Sequence, residues 1–433
     1  MDHSDVTAGR QTNGSDCLCI RVRKTTLFRW TLVLLTIIVV EGISGLALRA
    51  IDRQRQAART GVQKDFEALR WGPPVFQDAE VAKAIARDSL DLYDWGYAPY
   101  YGWAAQPGQA METISINSQG YRGPELRPDT GQVRVLLLGG SVAWGFGATS
   151  EEHTLRGCLE RELQRRFPER DWEVICLAEL GFILRQGRIR FDLEGLATGA
   201  SYAIFIDGVN DVSWSLRGAK IGDHELADRW RRQLRLSRRR QRDAPPAPSR
   251  RESLYHSVTS FIMRSRAARL ANQVRHAWQG RTEQEEQDDG RSQAWAGRID
   301  SDELLAYFTN ECDRIDGIAD RHGINVAMVL QPSLFMRSAP SDHESRLMTY
   351  LAERRSEHFL EEVVGAYKVL RRFYDQGTRG NLRFLDHSDL FADEGTVFFD
   401  EAHVSDCGNE QWARLLVDQL ADHGWWRKAS VSR

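Results

Sequence analysis

The chain has 433 residues, more than one ordinary domain needs, so one large domain or two smaller ones are expected. Its formal net charge of −3 gives no overall pull toward nucleic acid or acidic partners. The six cysteines (Cys17, Cys19, Cys158, Cys176, Cys312 and Cys407) have no zinc-site spacing and do not decide the compartment; no metal or nucleotide cofactor is implied.

Residues 1–29 are polar, with basic residues at Arg21, Arg23 and Lys24, and read as a disordered tail. Cys17 and Cys19 lie in it as an unstructured thiol pair, with a lipid anchor or metal ligands as alternatives. Residues 30–48 form an apolar run broken by Glu41, Ser44 and two threonines. A run of about 20 such residues crosses a bilayer as a helix. It is too long for a signal-peptide core and has no clear Ala-x-Ala exit, so it reads as an uncleaved transmembrane anchor. Glu41 either pairs within a helix bundle, lies near the outer face, or meets a membrane partner. Arg21, Arg23, Lys24 and Arg29 precede the span and Arg49, Arg53, Arg55 and Arg59 follow it, so charge alone leaves its orientation nearly balanced.

Residues 49–128 begin as a charged, helical stalk over 50–90 and continue into an aromatic-rich segment from Tyr93 to Trp103. Such rings either pack a small sheet against a domain or stack on sugars. Next comes Asn117-Ser118-Gln119-Gly120-Tyr121-Arg122-Gly123, in which Arg122 lines a cleft or braces the loop.

From residue 129 the pattern changes to strands alternating with helices. Val133 to Leu138 is an apolar run, as expected of a strand buried on both faces of a parallel sheet. It ends in Gly139-Gly140-Ser141, at the carboxyl end where open α/β sheets place their ligand crevice. Ser141 is the candidate nucleophile. The turn does not fit a P-loop or G-x-G-x-x-G, although an ordinary turn with a capping serine remains an alternative. Further apolar runs at 172–178, 202–206, 324–330 and 382–385 bring the expected strands to five. Helices are expected at 152–167, 184–196, 302–321, 344–374 and 406–422, the last capped by Ser405. This alternation predicts a parallel sheet with right-handed crossovers, covered on both faces.

Two later segments add chemistry. Gly208-Val209-Asn210-Asp211 follows the strand at 202–206, where the Asn210 amide could donate to a developing oxyanion or simply form a turn. Asp400-Glu401-Ala402-His403 places a carboxylate where it can orient an imidazole, and His403 could then serve as base toward Ser141. Alone, that spacing also fits a surface loop or half a metal site.

Taken together, these segments resemble the SGNH (GDSL-type) serine esterase and acetylesterase superfamily over roughly residues 112–422. The family's Gly-Asp-Ser block reads Gly139-Gly140-Ser141 here, with Gly140 in place of the usual Asp. Its Gly-x-Asn-Asp block is matched by Gly208 to Asp211 and its Asp-x-x-His block by Asp400 and His403. The best match for the remaining oxyanion glycine is Gly181, in flanking residues that are not distinctive. The resemblance implies a three-layer α/β/α sandwich on a five-stranded, flavodoxin-like parallel sheet. It also implies a catalytic set of Ser141, Asp400 and His403, with oxyanion donors from Ser141, Gly181 and Asn210. By the same resemblance the enzyme domain, residues 129–425, lies outside the cell's inner membrane and removes or moves O-acetyl groups on a carbohydrate or other ester. The alternative is a non-catalytic glycan-binding or scaffold protein of an envelope polysaccharide assembly system.

Residues 215–300 depart from the compact pattern, with Arg229 to Arg240 rich in arginine, Pro245, Pro246 and Pro248 in a short stretch, and an acidic run over 283–289. This reads as an insertion whose arginines form a solvated, salt-bridged helix or touch anionic lipid or polysaccharide, and which could also act as a lid.

Overall fold

The computed structural model describes residues 67–224, 297–355, 358–391, 395–422 and 424–427, together with 29, 31–32, 35–36 and 39–45. The fold set out below belongs to the unit formed by residues 59–244 and 283–433.

Asp78 caps the first helix, α1 (Ala79–Ala86), by accepting from the Glu80 N–H at 2.8 Å. A π-type turn, Arg87–Leu92, follows. The aromatic-rich segment then forms an antiparallel hairpin, β1 (Trp95–Ala98) with β2 (Gly102–Ala105). The main sheet starts with β3 (Val133–Gly139), which leads into the short helix α2 (Ser141–Trp144). Next come α3 (Leu155–Arg166), β4 (Trp172–Cys176), α4 (Leu184–Leu193), β5 (Tyr202–Asp207) and α5 (Val209–Leu216). The chain continues through α6 (Ser301–His322), β6 (Asn325–Leu330), α7 (Asp342–Arg354) and α8 (Phe359–Tyr374). It ends in β7 (Thr378–Arg379), β8 (Leu382–Asp386) and α9 (Asp406–Asp422). Ser405 accepts from the Gly408 N–H at 3.3 Å at the start of α9, the capping role expected of it.

The strands are ordered β4-β3-β5-β6-β8-β7. The first five run parallel and β7 lies antiparallel to β8. The sheet therefore has six strands rather than the expected five. The extra one is a two-residue return of the hairpin around Gly380, with no apolar run to mark it. Because alternate side chains of a strand face opposite ways, each strand feeds two cores. Val135 and Leu137 face a layer containing Leu159 and Leu163 of α3 and Trp412 and Leu416 of α9. Leu136 and Leu138 face one containing Phe191 of α4, Phe308 of α6 and Leu370 of α8. Each such buried side chain stabilises the fold by about 1.5–3 kcal/mol relative to exposure. The result is an α/β/α sandwich.

The helix expected over 344–374 is two helices, α7 and α8, since Arg355 is extended with ψ −175°. The stalk expected up to residue 90 does not stand apart from the domain over its described part: Phe76, Ala82 and Ile85 are buried in the same core as β3. The domain thus begins well before residue 129. Of the anchor expected at 30–48, residues 30, 33–34, 37–38 and 46–48 lie outside those described, and no helix among the described residues is long and apolar enough to cross a membrane. Of the insertion at 215–300, residues 225–296 lie outside the described residues, as do Cys17 and Cys19. The remaining four cysteines are free, with Cys158, Cys176 and Cys312 buried.

Candidate active site

The register of the sheet brings two loops together. Gly139, at the end of β3, pairs with Ile206 of β5, so the turns carrying Ser141 and Asn210 leave the sheet side by side. Ser141 opens α2, where a helix has N–H groups without intrahelical acceptors. Gly139 has φ +138° and packs so closely on the Ile206 carbonyl that a Cβ would overlap it. That close approach is what the glycine permits.

On the other side, the bridge between Phe398 and Val404 closes a short loop that aims His403 back at Ser141. His403 Nε2 lies 2.7 Å from Ser141 Oγ, across 262 residues of sequence. Its Nδ1 lies 2.8 Å from both Asp400 oxygens. Asp400 Oδ1 also accepts from the backbone N–H groups of Ala402 (3.0 Å) and His403 (2.8 Å), and Oδ2 accepts from Arg70 Nη2 at 2.6 Å. Burial of Asp400, which is 1% exposed, would raise its pKa. The neighbouring His403, the Arg70 cation and the hydrogen bonds from His403 and Ala402 outweigh that and hold the carboxyl well below the usual carboxylate range. An ionised Asp400 fixes the imidazole tautomer: Nδ1–H donates to it, and Nε2 is left to accept from the Ser141 hydroxyl. His403 sits at the surface end of this chain, with its side chain 14% exposed.

Asn210 follows Gly208, which has φ +126°. Its Nδ2 donates to the Phe182 carbonyl at 2.8 Å and abuts Gly140. Gly181, with φ +76°, sits between two indoles: Trp214 Nε1 donates to its carbonyl at 3.0 Å, and Trp103 Nε1 donates to the carbonyl of Leu180 at 2.9 Å. Glu179 anchors the same loop from below. It accepts from the Leu180 N–H (2.8 Å), the Ala105 N–H (2.9 Å) and the Tyr93 hydroxyl (2.7 Å). Burial pushes its carboxyl up, opposed by Arg190 and these donors. The structure therefore brings Ser141, His403 and Asp400 into one hydrogen-bonded chain. It sets Asn210 and the Gly181–Phe182 loop against Gly140.

The chain is similar to solved esterases. A crystal structure of an acetyl xylan esterase matches with TM-score 0.35 and 12% identity, covering 66% of this chain and 100% of that one. An acetylxylan esterase from Geobacillus stearothermophilus matches with TM-score 0.34 and 13% identity, covering 68% of this chain and 96% of that one. A two-domain esterase active on acetylated mannans, co-crystallized with mannopentaose, matches with TM-score 0.33 and 10% identity, covering 68% of this chain and 50% of that one. No family model matches the chain, and no curated protein matches its sequence.

Some neighbours of the site escape a reading of the sequence. Arg70 lies in the segment read as a stalk, 330 residues before its partner Asp400. Trp214 and Glu179 hold the Gly181 loop through backbone atoms, which no motif records. Arg122 is buried and braces loops, donating to the carbonyls of Gly145 (2.8 Å) and Thr113 (3.1 Å) with its plane over Trp144. Trp103 packs on Phe182, while Tyr97 and Tyr100 of the hairpin are exposed. Among the described residues, no three His, Cys, Asp or Glu side chains gather as metal ligands would.

Proposed function

We propose that this protein is a serine esterase of the SGNH type, in which Ser141 is the nucleophile, His403 the general base and Asp400 the residue that orients it. The observation that carries the reading is the unbroken chain from Ser141 Oγ through His403 to Asp400, at 2.7 and 2.8 Å. In the first step His403 Nε2 takes the Ser141 proton as Oγ attacks the ester carbonyl. The charge that develops on the carbonyl oxygen is met by the N–H groups of Ser141 and Gly181 and by the Asn210 amide, which retains a second N–H beyond the one given to Phe182. His403 then protonates the leaving alcohol, and water attacks the acyl-Ser141 ester by the reverse sequence.

The motif resemblance supports an acetyl ester, on a carbohydrate or another alcohol, as substrate. If a sugar hydroxyl replaces water in the second half, the same residues perform O-acetyl transfer. We place the enzyme on the membrane by the segment at 30–48, with the catalytic unit on the outer side. The assembled triad weighs against the alternative of a non-catalytic scaffold.

The test uses the full-length protein and 4-nitrophenyl acetate. Release of nitrophenolate by the wild type, reduced at least about 10⁴-fold in Ser141→Ala, is expected. Equal rates in the two proteins, or a folded wild type inert toward this ester and toward acetylated oligosaccharides, would sink the reading.

A further inference from the structure

Asp400 is held by more than its histidine. Arg70 Nη2 lies 2.6 Å from Oδ2, the oxygen that Ala402 and the His403 backbone leave untouched. The Arg70 guanidinium is flanked by aromatic rings, 5.0 Å from Trp71, 5.2 Å from Phe146 and 6.0 Å from Phe399. Two of those rings also pack on the catalytic imidazole: Phe146 at 4.6 Å and Phe399, stacked, at 5.7 Å. Guanidinium and imidazole thus share one aromatic enclosure and one carboxylate. The pair is largely desolvated, with 19% of the Arg70 side chain and 2% of the Asp400 side chain exposed.

We propose that Arg70 is a positioning residue of the triad: it fixes the Asp400 carboxylate, and across that carboxylate its permanent charge opposes positive charge on the imidazole. The proposal rests on the serine-esterase reading above. Its physical basis is simple. Asp400 favours imidazolium, which is useful in the transition state but disables the base when it forms in the resting enzyme. A guanidinium cannot lose its proton, and across a carboxylate in a poorly solvated site its repulsion of imidazolium is weakly screened. The other charged groups near the loop have partners of their own. Glu401 pairs with Arg355 at 3.3 Å, and Asp406 accepts from the Thr149 N–H at 3.1 Å and lies 3.4 Å from His153 Nδ1. Removing Arg70 therefore changes the charge at the triad by one unit with those pairs left in place. It also means that the segment before the hairpin, far from the motifs in sequence, supplies part of the catalytic apparatus.

The test compares wild type, Arg70→Met and Arg70→Lys in the full-length protein. Methionine keeps the bulk between the rings without the charge, and lysine keeps the charge without the fork. The kcat/KM profile against pH on 4-nitrophenyl acetate should show its acid limb moved upward by about one pH unit in Arg70→Met and by less than about 0.3 in Arg70→Lys. A merely structural role would lower kcat in both and leave the limb where it is, and that result overturns the proposal. So does an equal displacement in both variants. Should Arg70→Met fail to fold, Arg70→Gln takes its place. A second readout does not need turnover: histidine-labelled Ser141→Ala protein, with and without Arg70→Met, reports the His403 titration by NMR. An upward shift on removing Arg70 supports the proposal even if no ester is cleaved; an unchanged titration refutes it even if the enzyme is active.

Discussion

Asn210 Nδ2 donates to the Phe182 carbonyl at 2.8 Å, and the same nitrogen fills the space that a Cβ on Gly140 would need. Gly140 has φ −86°, so its backbone would accept any residue; what it lacks is room. The position that is Asp in the Gly-Asp-Ser block this sequence resembles is here closed by the Asn210 side chain. Gly140→Ala should push the Asn210 amide off its acceptor. The lost hydrogen bond costs about 1 kcal/mol of stability. With Asn210 in its proposed role as oxyanion donor, its displacement should cost on the order of 10²–10³ in kcat, with KM little changed. Gly140→Asp, although it recreates the Gly-Asp-Ser block that the sequence resembles, should do no better. Steady-state kinetics and thermal melts of the two variants check this; a Gly140→Asp protein as active as wild type overturns it.

Beneath the Asn210 turn lies a carboxyl pair. Neither oxygen of Asp207 has a hydrogen-bond partner among the described residues. Asp211 accepts from the Leu184 N–H at 3.2 Å and from Tyr307 Oη at 2.8 Å. Burial first, and then the charge of Asp211, raise Asp207 well above its ordinary value of 3.8, while burial raises Asp211 to about 6. A carboxyl whose folded pKa lies above its unfolded one gives full stability below the unfolded value and loses it as pH rises through the folded value. Stability should therefore fall from about pH 4 upward through pH 6 and beyond. Asp207→Asn, which keeps the shape and removes the proton equilibrium, should match wild type near pH 4 and melt several degrees higher at pH 8. Melting midpoints recorded across that range give the answer, and parallel curves for the two proteins would refute the account.

What was legible in the sequence follows from how local each signal is. The five parallel strands announced themselves because a strand covered on both faces must be continuously apolar, as Val135 to Leu138 are. The turns after them were readable because Gly139, Ser141 and the run Gly208 to Asn210 are short sequence units, and His403 lies only three residues from Asp400. The two-residue strand Thr378–Arg379 gave no periodicity to detect. The break between α7 and α8 was not legible because the residues around Arg355 carry no proline or glycine. Arg70 was illegible for a further reason. A charged residue in a polar helix is ordinarily solvated, and only folding reveals that residues 67–92 run back over the site to deliver it to Asp400. Motifs expose what the backbone places nearby, and miss what it returns from a distance.

The close approach at Gly139 yields the clearest test of how Ser141, the proposed nucleophile, is mounted. A Cβ there would overlap the Ile206 carbonyl oxygen and crowd Ala143, and φ +138° is a conformation that L side chains avoid. The obstacle is backbone of the central strand β5, so no side-chain rotation relieves it. Gly139→Ala should cost more than about 3 kcal/mol and displace Ser141 from His403. Gly199, by contrast, has φ +71° but nothing within 4 Å of an added Cβ. Gly199→Ala bears only the left-handed backbone penalty, about 1–2 kcal/mol, and should leave kcat unchanged. Denaturant unfolding of the two variants separates overlap from backbone strain. If Gly139→Ala unfolded no more readily than Gly199→Ala, the strand-end packing that carries Ser141 would have to be redrawn.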